Sequence, residues 1–519
     1  MAGSAADGPP SSPSAETRST ALTYWLTVAL VAAVGVVLRV QTFTDTWTGV
    51  HNAWGGAFYG NVARNFLRYG YWTTSFAPVV NSGVVEPHLF EIYYHHPPLA
   101  AWLTSVSFLI FGVHEWSARL VPLIFSLATM ALVFQFAKAE YGKGGALCAF
   151  LVVAVLPVDA YYAAHLDPNS SQAIFFTALA VEGYRRWLGS GRRRDFAIIL
   201  IAIVLGCMTS WFTYLVIPGL VAHGWLIHRP GERRVMLARL WPLPAAVLVV
   251  FVLIMAHRAI ALSGGRPEVF DPLRERLLKR TFDFGSDRLA IMLIYLKQIW
   301  QLYTFPVVVL SAAWFSYFVY SLWKRQLRTA EWCILILWSY GVLYALAFPG
   351  HLVNHDFFVR TYVPGVAIAC GFVVWRLASA VRAPVARRVV AGLLLTVVGT
   401  AGISATLGLY GQDDRTNGVT LREFGDAIAA ITTARDPVFL PLGDNVMQYY
   451  VDRPMTFHLD TPDKLAAAVA AATGPYVIVV PERSAQRYSE VLAYLRERYP
   501  ERRAKGLFMF QGAQMSQAR

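Results

Sequence analysis

The sequence predicts a mainly α, polytopic transmembrane protein with a small extracytoplasmic α/β domain at its C-terminal end. Three observations carry this prediction. Over 519 residues the chain is 56% hydrophobic and 15% charged, with a mean hydropathy of +0.44. Its apolar runs approach or reach the ~20 residues that a helix needs to cross a bilayer. These runs stop near residue 409, and short segments of strand-like and helix-like pattern take over.

Residues 1–18 are rich in Ser, Pro and Ala and read as a disordered cytoplasmic tail. The run from Thr20 to Leu38 is too long for a typical signal-peptide core and lacks a small-residue cleavage pattern after it, so it reads as a signal anchor. Spans are expected near 20–39, 118–137, 144–164, 172–188, 196–209, 213–227, 239–256, 304–322, 331–348, 361–380 and 389–409, about eleven crossings. Leu99 to Gly112 is apolar but too short, and counting it as a span breaks the charge alternation of the loops. It is read as an interfacial helix starting at Pro97-Pro98.

Charge orients this plan. Lys138/Lys143, the cluster from Arg185 to Arg194, Arg229/Arg233/Arg234, Lys324/Arg325/Arg328 and Arg382/Arg387/Arg388 fall on one side, the expected cytoplasmic side. The other face receives the loops 40–98, 165–171, 210–212, 257–303 and 349–360, and the tail 410–519. The formal charge of +13 is therefore spread over short loops in place of a basic stripe, which excludes nucleic acid as the natural partner. Cys148, Cys207, Cys333 and Cys370 all lie in apolar stretches and read as small core residues, not a disulfide framework. In the tail, 421–432, 462–472 and 484–499 read as helices, and 437–441 and 476–480 as strands. No glycine-rich phosphate loop follows a strand, so the domain 410–519 is assigned no nucleotide site. The transmembrane domain is taken as 19–409.

Ionisable residues at the ends of apolar spans are costly and mark function. Asp167, between two spans and close to His165, can bind a metal, position an acceptor or act as a base; capping the helix that begins near Ser170-Ser171 is the alternative. His95 and His96, just before Pro97-Pro98, can ligate a metal or bond a phosphate, or can sit as interfacial polar groups below Tyr93 and Tyr94. In the first loop, residues 54–68 form an amphipathic surface helix with Tyr59, Val62 and Phe66 on one face. Arg64 on that helix can reach a phosphate or face solvent. Asp45 is the only aspartate of the loop, and His51 stands close to the helix start.

The loop 257–303 carries Arg258, Arg266, Arg274, Arg276, Lys279, Arg280 and Arg288 on the face that should be poor in arginine. An anionic partner such as a lipid phosphate explains this, as does a salt-bridged helix using Glu268, Asp271, Glu275, Asp283 and Asp287. His351, His355, Asp356 and Arg360 form a further outer cluster, in which Arg360 can hold a phosphate or snorkel to headgroups.

Taken in order, the motifs resemble those of GT-C membrane glycosyltransferases of the protein O-mannosyltransferase and lipid A aminoarabinose transferase type. They are the Tyr-x-x-x-Ala-Arg helix (Tyr59 to Arg64), His96-Pro97-Pro98-Leu99, Gly112 to Leu120 ending in Ala-Arg-Leu, and Leu166-Asp167-Pro168. The resemblance is good over 20–190 and moderate over 340–380. It implies the GT-C fold and transfer of a sugar from a polyprenyl-phosphate donor to a lipid, glycan or protein acceptor at the outer face of the plasma (inner) membrane. Single in-line displacement would invert the anomeric centre. By the same resemblance Asp167 is the second-loop acid, His96 the basic residue before Pro-Pro with His95 beside it, and a divalent metal ion can sit among His95, His96 and Asp167. Arg64, Arg274, Arg276, Lys279, Arg280, His355 and Arg360 are the candidates for the donor phosphate.

One position departs from the pattern. The family's first-loop acid falls at Gly55, with Gly56 beside it, so the base must be Asp45 from upstream or His51, or the activity is altered. The competing reading is a transporter or lipid-binding scaffold. Such proteins often show repeated halves with polar groups at mid-membrane, whereas this chain has no visible repeat and its polar groups lie at the outer ends.

Overall fold

The computed structural model describes residues 15–47, 50–93, 95–167, 171–263, 288–349, 355–413, 415–443, 445–472 and 474–513. Among these, seven helices are long and apolar enough to cross a membrane, from Ala21–Arg39 to Pro384–Gly411. The protein is an integral membrane protein on this evidence. The remaining expected spans also fall on helices, though shorter or more polar ones. Ser171–Ser190 carries Glu182, Arg185 and Arg186 near one end, Arg193–Thr209 has 17 residues, and Thr213–Ile227 is a short apolar helix. The expected span 118–137 and most of the expected span 144–164 fall on the two helices that make up Glu115–Val155. Gly142 breaks it with φ 71°, a conformation that costs glycine little and other residues more.

The expected interfacial segment is a helix, Leu99–Phe111. It buries Ala100, Ala101, Thr104 and Phe108, while Leu109, Ile110 and Phe111 are exposed at its end. The surface helix of the first loop runs Val50–Tyr69 and packs against Leu99–Phe111.

A buried ion cluster ties the outer ends of the helices together. The Asp159 carboxylate accepts from Arg39 at 2.6 Å and from Arg360 at 2.7 Å, and all three side chains are almost fully buried. Ser126 donates to the same carboxylate, and the two guanidiniums also donate to Ser171 and to the carbonyls of Gly35, Val153, Ala154 and Tyr162. Inside low-dielectric surroundings a charge survives only when paired and hydrogen-bonded in this way. Arg360 is thus bound to protein groups, and its expected role as a phosphate ligand gives way to a structural one.

Past Gly411 the chain forms a five-stranded sheet of order β2-β1-β3-β5-β4, made of β1 Val438–Phe439, β2 Met455–Thr456, β3 Pro475–Pro481, β4 Glu501–Ala504 and β5 Leu507–Ala513. β1 pairs in parallel with β2 and β3, and β5 runs antiparallel to β3 and β4 with Ile478 opposite Phe510. The expected helices appear as Arg415–Ala429, Pro462–Ala470 and Ser489–Arg498. The helix Asn445–Val451 and strands β2, β4 and β5 had no counterpart in the sequence reading. β4, Glu-Arg-Arg-Ala, is a charged edge strand, a composition that discourages edge-to-edge pairing and hides the strand from a hydrophobicity pattern.

This C-terminal unit clamps the first outer loop. Arg68 forms a bidentate pair with Asp452 at 2.7 and 2.6 Å, and Arg64 lies 3.1 Å from the same carboxylate. Arg64 also donates to the Tyr449 carbonyl and lies 4.3 Å from the Tyr449 ring centre. Tyr450 donates to Glu115 and accepts from the Trp47 amide. Arg64 therefore joins two parts of the chain and does not face a donor phosphate.

Burial pushes the Asp452 carboxyl up, but Arg64 and Arg68 outweigh it and hold the group below the ordinary carboxylate range. A folded value below the unfolded ~3.9 means the clamp stabilises fully above that pH and is lost as pH falls through the folded value. Acidification below about pH 4 is therefore expected to raise hydrogen exchange in residues 50–69. Asp452→Asn should produce the same loosening at neutral pH, at a cost of about 1–2 kcal/mol for this part-buried pair. Unchanged exchange in the variant would remove the clamp from the account.

Candidate active site

Several segments distant in sequence converge at one end of the helices. Arg119, from the Ala-Arg-Leu motif, is buried, and its guanidinium donates to the backbone carbonyls of Phe43, Asp45 and Thr46. It also lies 4.5 Å from the Trp47 ring centre. The motif arginine thus fixes the path of the segment bearing Asp45, whose side chain is half-buried.

The Val50–Tyr69 helix meets the second outer loop at Gly55. A Cβ there would stand 3.0 Å from the Leu166 carbonyl oxygen and 3.3 Å from Cε1 of His165. At Gly56 a Cβ would fall 2.1 Å from the Trp47 ring. The glycines are therefore a close-approach surface, and the His165 imidazole occupies the space beside the helix where a side chain from position 55 would project. His165 is itself buried, its ring 4.9 Å from Phe357 and 5.5 Å from Tyr162. Restoring an acid by Gly55→Asp is thus expected to lower activity at least tenfold and stability by about 1–3 kcal/mol, the usual cost of overpacking. Turnover and melting temperature would check this, and a gain in turnover would contradict it.

Two residues beyond His165, Asp167 is 7% exposed. It faces Tyr59, one turn past Gly55. Burial raises the Tyr59 phenol well above its ordinary range, and Tyr93 and the Asp167 charge raise it further. The hydroxyls of Tyr59 and Tyr93 are 3.2 Å apart. The Tyr93 ring meets His95 edge-on at 4.9 Å and His96 at 6.1 Å. The Trp211 indole N–H then donates to the His95 carbonyl at 2.7 Å. Asp167, Tyr59, Tyr93, the two histidines and Trp211 form one continuous wall.

Arg258 closes it. Its guanidinium lies 5.3 Å from the Trp211 ring centre, the residue is 6% exposed, and neither terminal nitrogen has a hydrogen-bond partner among the described residues. Its neighbour His257 meets the Ser75 carbonyl at 2.5 Å, which pins this end of the Pro242–Ser263 helix to the first loop. A buried guanidinium with two unused nitrogens is poorly solvated and poised for an anion. In the sequence Arg258 was only one of several loop arginines. Its place at the end of an otherwise apolar helix was the signal that sets it apart.

The other sequence candidates fall as follows. His355 is half-buried, its ring against Phe357 and Phe358, and the next residue, Asp356, accepts from the Tyr162 hydroxyl. Arg274, Arg276, Lys279, Arg280, His351 and the His51 side chain lie outside the described residues. His95, His96 and Asp167 line one wall, yet among the described residues no three His, Cys, Asp or Glu side chains gather so as to hold a metal ion. The residues described do not fit that metal.

Residues 95–259 match the family model described as dolichyl-phosphate-mannose-protein mannosyltransferase. The chain is 26% identical over 207 residues to the putative mannosyltransferase YycA of Bacillus subtilis, covering 37% of this chain and 28% of that protein. It is 22% identical over 228 residues to undecaprenyl phosphate-alpha-4-amino-4-deoxy-L-arabinose arabinosyl transferase 2 of Pseudomonas fluorescens, covering 42% and 38%. The matches thus span about a third of the length of these curated relatives. The structure of ArnT from Cupriavidus metallidurans bound to undecaprenyl phosphate superposes with a TM-score of 0.67 at 14% identity, over 95% of this chain and 98% of that one. Over nearly its whole length, the chain has the fold of the GT-C membrane glycosyltransferases.

Proposed function

We propose that this protein transfers a sugar from a polyprenyl-phosphate donor to a lipid, glycan or protein acceptor at the extracytoplasmic face of the plasma (inner) membrane. The observation that carries this reading is the buried Arg258 guanidinium, whose terminal nitrogens have no hydrogen-bond partner among the described residues, on the same wall as Asp167. An ArnT of the same fold was solved with undecaprenyl phosphate, and an archaeal oligosaccharyltransferase with dolichol-phosphate, which fits a donor of this class. The arginine asymmetry of the loops supports a cytoplasmic N-terminus and an outer site. On that topology residues 1–18 are a cytoplasmic tail, 19–409 the catalytic membrane domain and 410–519 an outer domain.

In this reading Arg258 takes the donor phosphate and stabilises the charge that grows on it as the bond to the anomeric carbon breaks. Asp167 accepts the proton of the acceptor hydroxyl, whose oxygen forms the new bond with inversion. The products are the glycosylated acceptor and polyprenyl phosphate. Tyr59 stays protonated, and its hydroxyl lies 3.2 Å from that of Tyr93 on the same wall. Purified protein in liposomes, given radiolabelled polyprenyl-phosphate sugars and membrane extract, should consume donor and label an acceptor. Donor that binds and is never consumed, with any acceptor fraction, would favour a lipid-binding scaffold instead.

A further inference from the structure

At the far end of the Ser171–Ser190 helix, about 30 Å from Asp167 by helix rise, lies a cavity of about 400 Å³ lined chiefly by Arg185, Arg186, Ser190, Arg192, Arg194 and Asp195. The turn that shapes it passes through Gly191 at φ 64°, which lets the next helix, Arg193–Thr209, start at once.

The arginines of this cavity divide into two kinds. Arg185 and Arg186 are committed: Arg185 pairs with Glu140 at 2.6 Å and Glu182 at 2.8 Å, and Arg186 pairs with Glu182 at 2.6 Å. Asp195 is buried and accepts from the Ser190 hydroxyl at 2.5 Å. Arg192 and Arg194 are exposed and make no side-chain ion pair or hydrogen bond with a described residue. Their guanidiniums are forks suited to phosphate oxygens.

The surface next to the cavity specifies the kind of anion. Arg194, Ile198, Ile201 and Leu205 share one face of their helix by spacing. Below Arg194 that face is apolar and open, with Ile201 58% exposed. A free phosphate would use the arginines and leave this stripe bare, whereas a lipid uses both. We infer that the cavity is a binding site for the phosphate-bearing headgroup of an anionic phospholipid, with Arg192 and Arg194 as its ligands and an acyl chain laid along Ile198 and Ile201. Basic clusters at the membrane edge hold anionic headgroups by this chemistry.

The test is native mass spectrometry of the full-length protein released from detergent, with phosphatidylglycerol, phosphatidylcholine or inorganic phosphate added. Retention of phosphatidylglycerol over phosphatidylcholine is expected, reduced on the order of tenfold in the double variant Arg192→Gln/Arg194→Gln and recovered in Arg192→Lys/Arg194→Lys. Both positions are exposed, so the variants should melt like the parent without added lipid. Equal retention of the two lipids, or no loss in the Gln variant, would overturn the proposal. Inorganic phosphate displacing phosphatidylglycerol at equal concentration would also overturn it, by showing that the anion alone is recognised.

Discussion

Replacing Asp167 with asparagine is expected to cut sugar transfer by roughly a hundred- to ten-thousandfold, the contribution of a well-placed general base. The asparagine is nearly isosteric, so helix and fold should survive. It cannot accept the acceptor proton. Because Asp167 is buried beside Tyr59 and the donor phosphate is assigned to Arg258, donor affinity should stay near the parental value while turnover falls. Initial rates with labelled donor, alongside a thermal melt, would separate the two effects. Parental turnover in a well-folded Asn variant would return Asp167 to a capping role. The base would then have to be sought at Asp45 or His51.

The second large effect is expected at Arg258. Arg258→Gln removes the charge that two charge-assisted hydrogen bonds to phosphate would use. Donor binding should weaken by about 1.5–3 kcal/mol, roughly ten- to a hundredfold in dissociation constant. Arg258→Lys should recover part of it, since an ammonium keeps the charge and loses the fork. Acceptor affinity should be little changed. Arg360 provides the contrast: Arg360→Gln leaves Asp159 with one cation in a buried site. It should cost about 3–5 kcal/mol of stability, with the donor constant unmoved in whatever folds. If Arg360→Gln raised the donor constant and Arg258→Gln did not, the assignment of these two arginines would be reversed.

Some parts of this molecule were open to a reader of the sequence because their physical signals are local. The apolar runs read as spans, since a helix that crosses hydrocarbon must be apolar along its length. The surface helix around Tyr59 showed in its periodicity, and buried β3 in its run of Tyr-Val-Ile-Val-Val. Asp167 stood out because a carboxylate between two spans needs a reason.

The arginines were another matter. Arg64, Arg258 and Arg360 each lie near an apolar segment, and apart from the place of Arg258 at the end of an otherwise apolar helix, little in their neighbours along the chain separates a clamp, an anion site and a structural ion pair. Their roles depend on residues far away in sequence. Asp452 comes to Arg64 from the C-terminal sheet, and Asp159 comes to Arg360 from a stretch that reads as the end of an apolar span. The terminal nitrogens of Arg258 have no hydrogen-bond partner among the described residues.

The same division holds for Gly55. By itself the sequence determined the membrane class, most of the helices, the place of Asp167 between two of them and the missing acid in the first loop, because each depends on composition or spacing within one segment. Only the tertiary structure decided why that acid is missing, by bringing the His165 ring and the Leu166 carbonyl against the bare face of the helix. It also decided which buried arginine finds no partner among the described residues, because pairing in a low-dielectric interior is settled by distances between segments that the linear order does not contain.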